Sequence, residues 1–250
     1  MGTKSAWRLR KLVLSHVAQR GIVSPNSKEV KAYKAALPPL TPQLLAVAVG
    51  LMLGDVSLQA NKAKTAYRIK FEWGDVHKDY AFHIYALFEM YCLSVPRKQV
   101  RVNRLGHEVT TWCFQTVMHP AFEVLAHLFI SSGEAGSSKG KKVIDASVLS
   151  DRITPVSLAY WFMDDGGLLS YRPNRYGIQL HTQGFTTSEV ESLVKVLHDK
   201  FGLKCWTKLN KGKRTIAISG HSYATFFNLV KPFIHTSMMH KLPQGHRTQF

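Results

Sequence analysis

The chain has 250 residues, with 33 Lys and Arg against 16 Asp and Glu, a formal charge of +17. Apolar residues make up 45%, and no run approaches the roughly 18–20 apolar residues needed to span a bilayer, so a disordered polybasic tail and a membrane-spanning helix are both excluded. Three widely spaced cysteines (Cys92, Cys113, Cys205) rule out a disulfide framework and a C-x-x-C zinc site, and a folded chain this basic suits a polyanion, nucleic acid above all.

No acid precedes Glu29, while Lys4, Arg8, Arg10, Lys11, Arg20 and Lys28 are all basic. Such a start reads equally as an organelle transit segment or as an arm that tracks phosphates. Residues 1–36 are therefore set apart as a basic arm and a short helix. Within them "SPNS" at 24–27 is a cap, and "KEVKAYKAAL" is a helix stopped by Pro38 and Pro39.

The sequence then repeats itself. "LTPQLLAVAVGLMLGD" at 40–55 and "ITPVSLAYWFMDDGG" at 153–167 each open with Thr-Pro, an N-cap followed by proline at the first helical position. Each continues as an almost wholly apolar helix and ends in an Asp beside a Gly. A second repeat pairs "FEVLAHLFI" at 122–130 with "FFNLVKPFI" at 226–234. Before each lies a hairpin signal, two alternating runs joined around Gly106 in one case and Gly212 in the other. The chain thus reads as an α+β unit used twice, over residues 37–150 and 151–250.

A helix apolar on every side must be buried on every side, and the simplest partner for one motif helix is the other. Ala46, Gly50 and Gly54 line one face of the first, and Ala159 and then Gly166 offer small residues in the second. Packed in parallel, the two helices would bring Asp55 and Asp165 together at their C-terminal ends. That placement is unfavourable by itself, because a helix C-terminus repels anions and neighbouring carboxylates repel each other. A sequence that does this twice uses Asp-Gly as a turn or expects a cation, and carboxylate oxygens select a hard divalent ion, Mg²⁺ or Mn²⁺.

Alternation sorts the strand residues into faces. Lys62, Lys64, Arg68 and Lys70 share one face, opposite Tyr67, Ile69, Phe71 and Trp73. Arg97, Gln99, Arg101 and Asn103 share another, as do Lys204, Trp206, Lys208 and Asn210, with Lys211 and Lys213 adding charge at the second hairpin. Arg, Lys, Gln and Asn are the residues that read purine edges in a major groove, where a β-ribbon fits.

"AVGLMLGDV" at 48–56 and "LAYWFMDDG" at 158–166 resemble the two motifs of a single-chain LAGLIDADG homing endonuclease. "SPNSK", "FEW", "EVESLVKVL", "LVKPF" and "MMHKLP" extend the similarity from about residue 24 to 245, toward members encoded by group I introns of mitochondrial large-subunit rRNA genes. The resemblance implies two pseudo-symmetric αββαββα halves with the motif helices at their interface and saddle-shaped antiparallel sheets laid in the major groove of double-stranded DNA. It implies a monomer that makes a double-strand break with 3′ overhangs at a long asymmetric site, with divalent metal held by Asp55 and Asp165.

Gly54 and Asp164 rank next as metal-site residues, the "DDGG" pair leaving a one-residue ambiguity. The basic catalytic residues carry over to Lys142, with Lys141 as its alternative, and to Lys241. The polar water-organising position falls on Gln183 in the second half and on Lys70 in the first, where Gln is more usual. None of the twelve histidines forms a metal-ligand spacing. The resemblance leaves a second function open, an RNA maturase acting on its host intron. It places the protein in mitochondria, with the chloroplast as the alternative.

Overall fold

A computed structural model describes residues 2–20, 24–130, 142–172 and 175–242. In chain order they form α1 (Gly2–Arg20), α2 (Lys28–Ala35), α3 (Pro42–Leu53), β1 (Ser57–Ala60), β2 (Tyr67–Gly74), α4 (Lys78–Phe88), β3 (Arg97–Val102), β4 (Glu108–Gln115), α5 (Glu123–Phe129) and α6 (Ala146–Leu149). There follow α7 (Pro155–Asp165), β5 (Gly166–Arg172), β6 (Arg175–Leu180), α8 (Thr187–Phe201), β7 (Cys205–Asn210), β8 (Lys213–Ile218) and α9 (Tyr223–Val230). Two compact units result. One gathers the chain up to Leu44 with Val56–Ala126; the other gathers Leu45–Asp55 with most of the chain beyond.

In the first unit an antiparallel sheet has the order β1-β2-β4-β3. Ile69, Phe71 and Trp73 of β2 are buried while Lys70 and Glu72 are exposed, the alternation expected of a sheet with one dry face. The dry face is aromatic: Phe71 stacks on Phe114 at 4.4 Å between centroids and meets Phe88 of α4 at 5.3 Å. Tyr80, Ala81, Ile84 and Phe88 of α4 are all buried, as spacings of three to four residues on one helix face require.

Two expectations change here. Lys62 and Lys64 lie in the turn between β1 and β2, not on a strand face, and Lys64 takes a left-handed backbone with φ of 54°. Asn103 sits just past β3, where its Oδ1 accepts from the amides of Leu105 and His107 and so serves the turn. The acid-free N-terminal segment takes a definite form over residues 2–20. It is a helix with Ala6, Arg10 and Val13 buried, at i, i+4 and i+7. Arg10 donates to the Cys92 carbonyl and the Tyr85 hydroxyl, each at 2.9 Å, and pairs with Glu89 at 3.1 Å, which compensates the burial of its charge. Residues 1 and 21–23 of that segment lie outside the described residues. Helix α2 follows its expected signals, with Ser27 capping through the Val30 amide.

The second unit repeats the strand order as β5-β6-β8-β7. Its β7–β8 hairpin turns on Lys211 (φ 49°) and Gly212 (φ 76°), the two positive φ values of a type I′ turn, so Lys211 is a turn residue and Lys213 opens β8. Helix α8 begins at a capping box, Thr186 with Glu189, and buries Val190, Leu193 and Leu197. The Cys205 thiol donates to the Val194 carbonyl, so that side of β7 faces α8, and Trp206, one residue on, is 41% exposed. Among the described residues no helix is long and apolar enough to cross a membrane.

Candidate active site

Helix α7 starts where the sequence signals it. Thr154 and Ser157 form a reciprocal capping box with Pro155 at the first position. In α3 the Thr41 hydroxyl accepts from the Leu44 amide. All residues of α3 from Ala46 to Leu53 and of α7 from Ser157 to Met163 are buried, as helices apolar all round must be.

The residues from Leu45 to Asp55 and α7 run side by side in the same direction, and glycines set their distance. A Cβ on Gly50 would stand 2.3 Å from the Ser157 carbonyl oxygen and 2.8 Å from the Tyr160 Cβ. One on Gly54 would stand 2.5 Å from the Asp164 Cβ and 2.6 Å from its Oδ2. The small residues of α7 play a different part from the one expected. Ser157, Tyr160 and Asp164, not Ala159, meet the glycines of α3, and Gly166 makes room for the Phe162 ring of its own helix.

This close approach assembles the C-terminal ends of both motifs. The Asp55 amide donates to Asp164 Oδ2 at 3.2 Å, so Asp164 ties one motif to the other. Lys142, placed by a β-bridge to Ile130 and by the Val143 amide donating to the Phe129 carbonyl, donates from Nζ to the Gly54 carbonyl at 2.7 Å. Lys241, at the end of a 3₁₀ turn over Thr236–Lys241, donates to the carbonyls of Met163 and of Asp164, the latter at 2.8 Å. Each lysine thus satisfies carbonyls left open where a motif helix ends. The alternative Lys141 lies outside the described residues.

Beside them opens a pocket of about 270 Å³ lined by Leu53, Gly54, Lys142, Asp165, His181, Thr182, Gly184 and Phe185. Burial, and then the Asp55 carboxylate, push the Asp165 acid up to about 7 against the pull of Lys142 and Lys241. Burial brings Lys142 down to about 8 although Asp165, Asp164 and Asp55 favour its charged form, and it lowers Lys241 in the same way.

His181, absent from the residues singled out in the sequence, is held by its amide donating to the Asp165 carbonyl at 2.9 Å. Its Nδ1 lies 3.2 Å from Gln183 Nε2, and partial burial followed by the charge of Lys241 lowers its pKa. Its only sequence signal was its place in "LHTQGF", two residues before Gln183. Lys70 is not the counterpart of Gln183. It pairs with Ser57, two residues after Asp55, as Gln179 pairs with Gly167, two after Asp165. Gln183 instead lies in the turn beyond β6. The strand-face residues Arg68, Lys70, Arg97, Gln99 and Arg101 fall on one face of their sheet by register, and Lys204 precedes β7, which carries Trp206 and Lys208.

Replacing Lys241 by Ala removes a cation from beside three carboxylates. For the DNA cleavage that the resemblance implies, the expected result is a rate lowered by roughly 10²–10³-fold, typical of losing one preorganised electrostatic group, with DNA affinity held within about threefold. Single-turnover cleavage beside equilibrium binding measures both. A binding loss as large as the rate loss would make Lys241 a phosphate anchor instead.

Two acids at the ends of closely packed helices, half-buried lysines beside them and an open pocket, in a chain with two four-stranded sheets, match the two-motif, single-chain architecture that the resemblance implies. The chain belongs to the LAGLIDADG DNA endonuclease family, whose model matches residues 45–226. It is 39% identical over 222 residues to the probable intron-encoded endonuclease 1 of Wickerhamomyces canadensis, covering 88% of this chain and 92% of that protein. Among solved structures, the homing endonuclease I-WcaI bound to its DNA recognition sequence is 37% identical, with a TM-score of 0.83 over 95% of this chain and 99% of that one. The cytochrome b mRNA maturase bI2 of Saccharomyces cerevisiae is 26% identical over 227 residues, 88% of this chain and 52% of that protein.

Proposed function

We propose that this enzyme is a monomeric homing endonuclease that cuts both strands of one long asymmetric DNA site, the uninterrupted insertion point of its host intron, leaving 3′ overhangs. The observation that carries this reading is the juxtaposition of Asp55, Asp164 and Asp165 with Lys142 and Lys241 where α3 and α7 end. A divalent cation fits there. The Asp165 carboxylate resists ionisation because it is buried and lies near Asp55, and a cation relieves both penalties. Among the described residues no three His, Cys, Asp or Glu side chains gather as a closed metal site. Carboxylate oxygens suit Mg²⁺ or Mn²⁺, which binds through one or two carboxylates and completes its shell with water and substrate phosphates.

Asp55 and Asp165 would hold the ion, with Gly54 and Asp164 at its margin. Bound there, it would supply a deprotonated water and polarise the scissile phosphate. Lys142 and Lys241 set positive charge where negative charge develops on phosphate oxygens. Gln183, hydrogen-bonded to the pocket residue His181, offers further hydrogen bonds that orient solvent. The basic strand faces hold the duplex, and affinity is expected to fall steeply and linearly in log–log form as salt rises, since phosphate contacts release counterions. A flat salt response in a filter-binding titration would count against a phosphate-tracking surface.

The test is incubation with duplex DNA carrying the intron-less rRNA-gene junction, with Mg²⁺ or with EDTA. One cut in each strand, seen only with metal, supports the endonuclease. Similarity to a cytochrome b mRNA maturase favours one second reading, assistance to splicing of the host intron. Faster splicing of that RNA with no DNA cleavage would establish it. Similarity to one relative named as intron-encoded and to another named as a cytochrome b mRNA maturase supports an organelle genome as the source, with mitochondria the compartment proposed and the chloroplast second.

A further inference from the structure

Two arginines on the sheet β1-β2-β4-β3 have their guanidinium groups held by neighbours, but by different edges. Arg101 gives its terminal fork away: Nη1 donates to Glu72 Oε1 at 2.9 Å, and Nη2 donates to Gln99 Oε1 at 2.7 Å and to Glu72 Oε2 at 3.4 Å. Thr111 adds a hydrogen bond to the same Glu72 oxygen at 3.0 Å, so this cluster is closed on itself. Arg68 is held from the side instead. Its Nε and Nη2 both donate to Gln59 Oε1, at 2.8 and 2.6 Å, and the two residues are direct cross-strand partners on β1 and β2. That grip uses the Nε–Nη2 edge, and among the described residues the terminal Nη1–Nη2 fork of Arg68 makes no other hydrogen bond.

We propose that Arg68 is a specificity-determining residue that reads one guanine of the target duplex through its terminal fork, with Gln59 as the positioning residue that aims it. This rests on the DNA-endonuclease reading above. A guanine presents two acceptors, O6 and N7, on the major-groove edge, at the spacing of an arginine fork. A guanidinium already fixed by a neighbouring acceptor loses less side-chain freedom when it engages a base. Arg101, its fork spent on Glu72, does not compete for that role without first breaking an ion pair.

The experiment is selection of bound duplexes from a randomised library, without metal, by the full chain and by Arg68→Ala, Arg68→Gln and Gln59→Ala. The unchanged protein is expected to select a preferred sequence with a guanine at the position Arg68 reads. Arg68→Ala should lose preference at that position alone, by about 10–100-fold in relative affinity. Arg68→Gln should move the preference there from guanine toward adenine, whose N6 and N7 suit a glutamine amide. Gln59→Ala should weaken the guanine preference by less and at the same position. A uniform loss of affinity by Arg68→Ala, with an unaltered sequence profile and a shallower salt slope, marks a phosphate contact and overturns the assignment. An unchanged profile in Arg68→Gln overturns it too. Failure of the unchanged protein to select any sequence overturns the site-specific reading, and this assignment with it.

Discussion

Asp165→Asn is expected to lower cleavage by roughly 10³-fold or more while leaving affinity for the duplex within about tenfold. The side chain is kept in shape and loses only its charge, so a metal-holding group disappears while the phosphate contacts that supply most of the affinity remain. Single-turnover cleavage and binding at one salt concentration separate these effects, and near-normal cutting by the variant would remove Asp165 from the mechanism.

The same substitution carries a second, independent readout. Asp165 in the folded chain ionises only at about 7, well above an ordinary aspartate, so between those values the folded state holds a proton that the unfolded state has released. Stability from this group therefore falls as pH rises from about 4 to about 7, the reverse of an ordinary paired aspartate. Without divalent metal, Asp165→Asn is expected to raise Tm above that of the unchanged protein at pH 8 and to match it near pH 4. Mg²⁺ should then stabilise the unchanged protein more than the variant, because binding to the folded state alone adds stability. Equal Tm values at pH 8 in the absence of metal would mean that Asp165 is not held in the repulsive setting described.

Gly50→Ala is expected to cost on the order of 1–3 kcal/mol or more, seen as a Tm lowered by about 2–4 °C per kcal/mol for a chain of this size. The added carbon would fall 2.3 Å from the backbone oxygen of Ser157, and a carbonyl inside a helix cannot swing aside as a flexible side chain can. Relief demands that α3 and α7 separate. That movement also shifts Gly54 from Asp164 and loosens the Asp55 amide from its carboxylate partner. Activity is therefore expected to fall further than stability alone explains at a temperature where the variant stays folded. Thermal unfolding and cleavage at 20 °C check the pair, and an unchanged Tm would show that the helices are not in contact at Gly50.

Much of the architecture was legible before any coordinates, because it is written in short-range pattern. Thr-Pro caps start both motif helices, Ser27 starts α2, alternation marks the buried face of β2, and Gly212 with Lys211 turns the β7–β8 hairpin. Each of these depends on neighbours within about one helical turn or one strand pair, so the local order of residue types is enough. The repeat itself, ending twice in aspartate, pointed to the site.

What pattern alone misplaced were residues whose role depends on distant partners. Lys62 and Lys64 kept the parity of a strand but fell in its turn, since alternation does not say where pairing stops. Lys70 was matched to Gln183, and strand register matches it to Gln179. Arg10 read as one more surface base until Glu89, Tyr85 and the Cys92 carbonyl, some eighty residues away in sequence, surrounded it. His181 carried no signal beyond its place two residues before Gln183.

By itself, then, the sequence determined that two apolar helices exist, that each ends in an acid, and that basic-faced sheets accompany them. Only the tertiary structure decided that Gly54 lies against Asp164, that Asp164 grips the Asp55 amide, and that Lys142 and Lys241 close over the carbonyls where the helices end. Periodicity records which side of an element must leave water. Which atoms meet there is settled by the packing of side chains far apart in the chain, and in this protein by two glycines that let one backbone approach another.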